Sequence, residues 1–444
     1  MSDSAIDALG AQVGVDDGGN AVYAWSSSDM TTGVTQVQAR TRSARGRLGP
    51  IVALSDPAAD AFDVRVAVND GGAAIFSWLE VDAATRGLGL KTRSRSARGV
   101  LGPVADVSEP GTDVGEHRVA ISGAGAAVVT WTTFDLASGS LRAKARSRSA
   151  AGGLGTVFDL ADPALDSFGP QVAIDGDGDA MFAWTQGDPA TGRTRVQARS
   201  RSAGGALGPV ANLSDGARNE GEAKVAVDRD GDAVFDWLVL DASFRASVQA
   251  RSRSRKGTFG PVVALSDPAD DAWDSVVAVD DDGDAVFTWW IVGRTGARVE
   301  ARSRSARGAI GPRITLSDAA DDGFEPQVAV DGDGDALFTW LAFDRDGVRV
   351  QARSRSSRGA LGPLTDLSRP AEDAFAAKVA VGDDGDAAFG WSALNAASYE
   401  VQGRSRPATG RLGPLAVISR SDRDAFEAQV DEASKQLDRL AAGR

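Results

Sequence analysis

Tryptophan sets the frame of this chain. It recurs at Trp25, Trp78, Trp131, Trp184, Trp237, Trp289, Trp340 and Trp391, at spacings of 51 to 53 residues. Self-similarity at a fixed period marks a repeat architecture, in which each unit buries its apolar faces against its neighbours. A typical unit reads PQVAVDGDGDALFTW, a variable link, VRVQARSRSSRGALGP, an apolar run ending in LS, then a segment like DPADDAF. Four runs of strand character stand out, at 327–330, 336–340, 348–354 and 361–367 in one unit. In the second run Ala336, Phe338 and Trp340 fall on one side and Leu337 and Thr339 on the other, the period of a strand. The DGDG between the first two runs is a hairpin signal.

Length variation is confined to one place. From the apolar position of the third run to the next tryptophan the count is 41, as in Val37–Trp78, Leu90–Trp131, Val196–Trp237 and Val350–Trp391. Every change therefore falls in the link between runs two and three, which shortens from 12 to 10 residues along the chain. A closed ring imposes that constraint. The pattern predicts an all-β fold, a single eight-bladed β-propeller of four-stranded antiparallel blades, over residues 1–418. A β-solenoid is the competing fold, but its coils are shorter and it needs capping ends. Aromatic pairs such as Tyr23/Trp25, Phe76/Trp78, Phe182/Trp184 and Phe338/Trp340 are expected to fill the space between blades.

The ends carry one copy too many of the inter-blade segment. Residues 1–13 match it, and SRSDRDAFEAQV at 419–430 repeats it after the eighth unit. In residues 419–444 this partial repeat gives way to Phe426, Val430, Ala433, Leu437 and Leu440, at helical spacing. A short amphipathic C-terminal α-helix is expected over roughly 425–442, packed on the ring, docked on a partner as a tether, or self-associating.

Composition narrows the chemistry. The 444 residues contain no cysteine and one histidine, His117. Disulfides, thiolate metal sites and a cysteine nucleophile are excluded, and a Ser-His-Asp triad is disfavoured. The net charge of −14 argues against nucleic acid as the partner, which would call for a clustered basic surface. No stretch is apolar enough for a membrane span. The opening MSDSAIDALG lacks a basic-then-apolar leader. That leaves the compartment open: cytoplasmic by default, or secreted if a leader was removed.

Two elements invite a functional reading. Full D-x-D-x-D sets occur at Asp175/Asp177/Asp179, Asp228/Asp230/Asp232, Asp280/Asp282/Asp284 and Asp331/Asp333/Asp335. Alternating carboxylates suit calcium, the one cofactor the sequence admits, although none is required. Other units break the set while keeping the hairpin glycine, as at Gly72 and Gly125, so turn geometry accounts for what is constant. The order F-x-P-x-V-A-V-D-x-D-G-D resembles FG-GAP and VCBS-like calcium-loop propeller repeats. That resemblance implies a first strand lining a central channel and a hairpin able to hold calcium. The glycine here precedes the third acid, unlike the family pattern, and only unit five offers a further acid, Asp236.

The second element is R-S-R, whose arginine pair is present in every unit from Arg40/Arg42, where Thr41 stands between them, to Arg404/Arg406. Residues two apart share a strand face, so each pair forms a guanidinium ladder, with the acids of the DPADDAF-like link as expected ion-pair partners. An anion-binding ring is the alternative.

Elements kept eight times point to structure, so function is sought where symmetry breaks. Glu116 and His117 are unusual in unit three, and Asn219, Glu220 and Glu222 replace the common link in unit five. Trp290 doubles the tryptophan of unit six, and Tyr399 is unusual in unit eight. If run one is innermost, the variable loops and the inter-blade links share one face of the disc, the candidate binding face. The reading that follows is a non-catalytic binding or scaffold propeller for a protein or glycan partner. A multivalent lectin is the alternative, and a carboxylate-based glycoside hydrolase or lyase a further one.

Overall fold

Every unit closes its own sheet. In the computed structural model, which describes residues 6–135, 139–293, 296–370, 372–395 and 398–420, eight four-stranded antiparallel sheets each take four consecutive strands in chain order. The seventh blade consists of Asp322–Val330, Ala336–Asp344, Gly347–Arg355 and Thr365–Asp366. The inner strand is longer than expected because it begins within the inter-blade link. The outer strand is shorter, two residues, with Leu361 contributing only an isolated bridge to Arg355. Gly362 donates its N–H back to Ser354 O at 2.9 Å, and Pro363 has no N–H to offer a ladder, so the run turns before it pairs. The described residues contain no helix, and the helix expected over 425–442 lies outside them.

The alternation read from the second run holds, but both of its sides are apolar. Ala336 through Ala342 are all buried. Phe338 and Trp340 pack with Val286, Val299 and Leu316 of blade six, whereas Leu337 and Leu341 pack with Ala377, Phe389 and Trp391 of blade eight. A blade is sandwiched between two others, so its central strand has no solvent face. Eight apolar clusters result, one per seam, and all eight repeat tryptophans are almost fully buried.

The ring closes through the same kind of seam, with a local key. Tyr23 and Trp25 of blade one pack with Ala388, Val401 and Ile418 of blade eight. The Tyr23 hydroxyl donates to Phe389 O at 3.2 Å. Its ring fits because blade eight carries glycine beside it: a Cβ at Gly403 would lie 2.9 Å from Tyr23 Oη, and one at Gly390 3.2 Å from Cε1.

The R-S-R element has a different role from the one its charge suggests. The first arginine of every pair donates to a glycine carbonyl of its own blade, as Arg302 Nε does to Gly311 O at 2.9 Å. In seven blades it also reaches a carbonyl at the outer end of the preceding blade, as Arg302 Nη1 does to Leu265 O at 3.0 Å. In four blades the second arginine reaches back to the middle serine of the preceding R-S-R, as in Arg148 Nη2 to Ser94 Oγ at 2.9 Å and Arg304 Nη2 to Ser252 Oγ at 2.8 Å. The partners are carbonyls and hydroxyls rather than the acids of the link. Carbonyls on the outer edge of one sheet would otherwise lack a donor, and the next blade supplies it.

The link acids are used elsewhere. Asp60, Asp113, Asp166, Asp271, Asp322 and Asp373 each accept the amide of the first or second residue of a third strand in the preceding blade, at 2.7–3.1 Å. Asp7 accepts Tyr399 N at 2.9 Å in the same way across the closing seam. These bonds join the inter-blade links to the variable loops, so both lie on one face of the disc.

Candidate functional site

The inner strands carry the broken symmetry. Each contains a bulge against its second strand, two residues opposite one, such as Glu325 and Pro326 between the pairs Phe324↔Leu341 and Gln327↔Thr339. A bulge of this kind wants its first residue in the left-handed region, where glycine is free and other residues are strained. Blades one and four use Gly10 and Gly169, at φ 70° and 62°. Four other blades place carboxylates there: Asp63, Glu222, Asp274 and Glu325, at φ 50–53°. Such a choice costs roughly 1–2 kcal/mol per residue relative to an unstrained backbone. Blade eight holds Ala376 in the same conformation, at φ 52°, so non-glycine residues bear this strain at five equivalent positions and four of the five are carboxylates, which directs attention to what those side chains do.

These carboxylates stand at the mouth of the central channel, on the loop face. Burial raises the pKa of Glu222; the carboxylates of Asp274 in the next blade and Glu116 two blades back raise it further, against Lys224. Two residues further along the strand, the same position holds Gln12, Arg65, Arg118, Gln171, Lys224, Val276, Gln327 and Lys378. Four cations thus lie one layer beneath the acids. Lys378 of blade eight is pushed down to about 8, first by burial and then by Arg65 and Arg118 of blades two and three, with Glu325 opposing. Burial likewise lowers Arg118, and Arg65 adds to it. Groups from four blades meet in one lumen. Arg65 pairs with Asp63 at 2.9 Å, and Arg118 Nε donates to Gln171 Oε1 at 3.2 Å. Lys378 forms no hydrogen bond or ion pair within bonding distance among the described residues; Glu325 is the carboxylate that acts on it. Below the cations the next position is alanine in seven blades and Gly14 in the first, a ring of small residues.

At the opposite end the hairpin tips converge. Oxygens of Asp17, Asp70 and Asp383 lie within 4.8 Å of one another. Arg229 bridges to Asp281 at 3.2 Å in the same group. Burial and the surrounding carboxylates of Asp17, Asp281 and Asp70 push Asp383 up to about 6. Among the described residues this is the only trio of potential metal ligands so placed, and it draws on three blades rather than on one D-x-D-x-D set. Within a set the aspartates separate. Asp228 Oδ1 accepts Asp230 N and Asp232 N at 3.0 and 2.9 Å, and Asp232 Oδ1 accepts Arg255 N in the following turn at 2.6 Å. Asp175, Asp280 and Asp331 cap their hairpins alike, and Asp179, Asp284 and Asp335 reach the next turn. The middle members, Asp177, Asp230, Asp282 and Asp333, point to solvent. Turn stabilisation absorbs two of every three carboxylates. Asp236 is far from any hairpin tip, fully buried between blades, and pushed up to about 6 by that burial.

The residues singled out by sequence divide. Glu116 and Glu222 belong to the acidic mouth. His117 is fully buried just behind it, its Nδ1 3.7 Å from Asp63 Oδ2, and burial pushes it down to about 4, so it is neutral. It pairs with Trp131 because the blade-three bulge is displaced, placing Glu116 opposite Thr132 instead. Trp290 donates Nε1 to Asp274 Oδ2 at 2.6 Å and packs edge-on against Phe324, which meets the half-exposed Phe343. Glu220 is buried and accepts Gly216 N at 2.9 Å. Asn219 lies apart, in an open groove of about 540 Å³ with Arg193, Arg218 and Arg245. Tyr399 sits at the closing seam against Phe375. Sequence reasoning missed Asp63, Arg65, Arg118, Lys224, Asp274, Glu325 and Lys378. The signal was present: in an otherwise constant inner strand, one column alternates between glutamine, valine and cations.

No family profile matches this chain, and no curated protein matches it. Among solved structures the chain is similar to the Dos1 propeller, with 9% identity, TM-score 0.50, and coverage of 90% of this chain and 93% of that one. A eukaryotic initiation factor matches with 9% identity and TM-score 0.50, over 92% and 88% of the two chains. The Hadza microbial sialidase Hz136 matches with 12% identity and TM-score 0.40, over 90% and 93%, too distant to bear on activity. The likeness is one of fold, and it places this chain among all-β propellers.

Proposed function

We propose that this protein is a binding propeller whose ligand enters the central channel from the loop face, and that the ligand is a carbohydrate. The observation supporting this is the row of carboxylates at strained bulge positions, Asp63, Glu222, Asp274 and Glu325, where glycine would be easier to accommodate. Beside them, Trp290, Phe324 and Phe343 offer apolar ring faces and edges. Carboxylates that accept hydroxyl hydrogen bonds next to aromatic surface suit sugar rings. The test is a glycan array with the wild type and the triple variant Glu222→Gln/Asp274→Asn/Glu325→Gln. A control, Asp177→Asn/Asp333→Asn, alters the other face. Ligands lost by the triple variant and kept by the control support the reading; binding that survives the triple variant sinks it.

A second reading, a glycoside hydrolase or lyase, draws on the raised pKa of Glu222 among neighbouring acids, the setting of a general acid. Release of new chain ends from a bound polysaccharide, abolished by Glu222→Gln, would favour it; intact polysaccharide after prolonged incubation would reject it. The apolar stripe of Phe426, Val430, Leu437 and Leu440 is the segment we assign to partner docking, and truncation at residue 424 that leaves partner capture unchanged would discard that role.

A further inference from the structure

We propose that the lumen beneath the acidic mouth is an anion subsite, formed by Lys378, Arg118 and Arg65, that receives a carboxylate or sulfate group of the ligand. The inference rests on the channel being the ligand site and goes further by naming a charged group that the ligand must carry.

The three cations come from blades eight, three and two and occupy one register of the inner strand, each following the bulge. Their counter-charges are unequal. Arg65 has Asp63; Arg118 bonds the neutral Gln171 and the carbonyl of His117 at 2.8 Å, with the carboxylates of Glu116 and Asp63 acting on it without a direct bond. Lys378 has no directly bonded partner among the described residues, only the more distant Glu325, and the bulge residue of its own blade is Ala376, followed around the ring by Gly10. The sector above Lys378 is therefore the one stretch of the mouth where two adjacent blades carry no carboxylate. An anion entering there meets ammonium and guanidinium groups, with Glu325 of blade seven the carboxylate that acts on Lys378.

Positive charges gathered in a protein-walled lumen repel one another, and an anion relieves that repulsion. Burial strengthens the attraction because less water screens it. The two charge layers also select for shape. A ligand whose hydroxyls meet the carboxylates and whose acidic group drops to the cations fits both, whereas a neutral sugar leaves the lower layer unanswered. Acidic sugars, uronates or sulfated residues, have that chemistry.

Inorganic sulfate and glucuronate serve as probes, with methyl glucuronate ester as the neutral match. The readout is the side-chain NMR titration of Lys378 in the full chain, with affinity from calorimetry. Free Lys378 titrates near 8. Saturating sulfate or glucuronate is expected to move it toward the ordinary lysine range, and the ester to leave it in place. Lys378→Gln is expected to weaken both anions by roughly tenfold or more, the loss of one charge-assisted bond. The variant installs the residue that blades one, four and seven carry at this register, so the strand accommodates it. Lys378→Arg is expected to retain binding. An unmoved titration at saturating anion, or equal affinity in Lys378→Gln, overturns the subsite. Glycan binding without an anion response would overturn the subsite alone. An anion response with no glycan binding would remove the carbohydrate reading and keep the subsite.

Discussion

The seams between blades and the wall of the channel are made from the same eight repeats, yet they use them in opposite ways. The seams repeat one solution with little variation: in all eight a tryptophan is buried between blades, in seven an arginine is bonded to the preceding blade's outer carbonyls, and in four a second arginine is bonded to that blade's serine. The channel wall repeats only its backbone. At the bulge and two residues after it, side chains range from glycine to glutamate and from valine to lysine. Seams are dry and close-packed, where a lost methylene group is felt. The channel-facing side chains are mostly only partly buried, so they are released from packing and free to carry chemistry. Stability is concentrated in the seams and asymmetry in the lumen.

Substitutions should separate the two regions. Trp340→Ala is expected to cost about 3–5 kcal/mol by opening a cavity between blades six and seven, read as a large fall in Tm by calorimetry; a loss near zero would mean that the seams do not carry the fold. Arg302→Ala removes bonds to Gly311, Ala264 and Leu265 and is expected to cost about 2–3 kcal/mol. Arg302→Lys should recover little, since one ammonium cannot span the forked arrangement of acceptors. Full recovery would reduce the arginine to a simple point charge.

The buried Asp236 tests the boundary between the regions. Its pKa is raised to about 6 in the folded protein from an ordinary 3.8, with burial as the leading cause. Folding is therefore favoured by its protonation: that contribution is complete below about 4 and is lost as pH rises through about 6. Asp236→Asn should raise Tm at pH 7.5 and change it little at pH 4, measured by thermal denaturation. An equal shift at both pH values would show that desolvated charge is not the cause.

Smaller effects belong to the lumen. Glu325→Gly should stabilise the fold by about 0.5 kcal/mol, because relief of left-handed strain exceeds the added chain entropy of glycine. Glu325→Ala, which keeps the strain, should not; both should lose ligand. Stabilisation by alanine equal to that by glycine would place the effect in charge rather than backbone. Last, millimolar calcium against chelator is expected to shift Tm by less than about 1 °C, because the hairpin carboxylates already accept backbone amides. A clear calcium-dependent rise would give the hairpins, or the Asp17–Asp70–Asp383 group, a metal role.

The legible part of the fold was the part that repeats. Trp25 to Trp391, the constant 41-residue spacing and the DGDG turns were enough to predict eight four-stranded blades. Asp232 and Arg302 were harder. Their residue types suggested metal and carboxylate, whereas their partners are main-chain groups that carry no label in the sequence. Of the channel mouth, Glu116 and Glu222 stood out as exceptions to their repeats. Asp274 and Glu325 did not, because an acid in a link rich in acids is unremarkable until a bulge turns it inward.

By itself the sequence determined periodicity, strand number and the hydrophobic faces, since these depend on residues near one another along the chain. Tertiary structure decided which side chains meet. Lys378, Arg118 and Arg65 lie hundreds of residues apart or in separate repeats, and only closure of the ring brings them into one lumen. Closure also decides the fate of Tyr23, whose hydroxyl meets Phe389 only because Gly390 and Gly403 leave room on the far side of the seam. Local pattern is set by the geometry of the strand, but the electrostatics of a channel depend on distances across it.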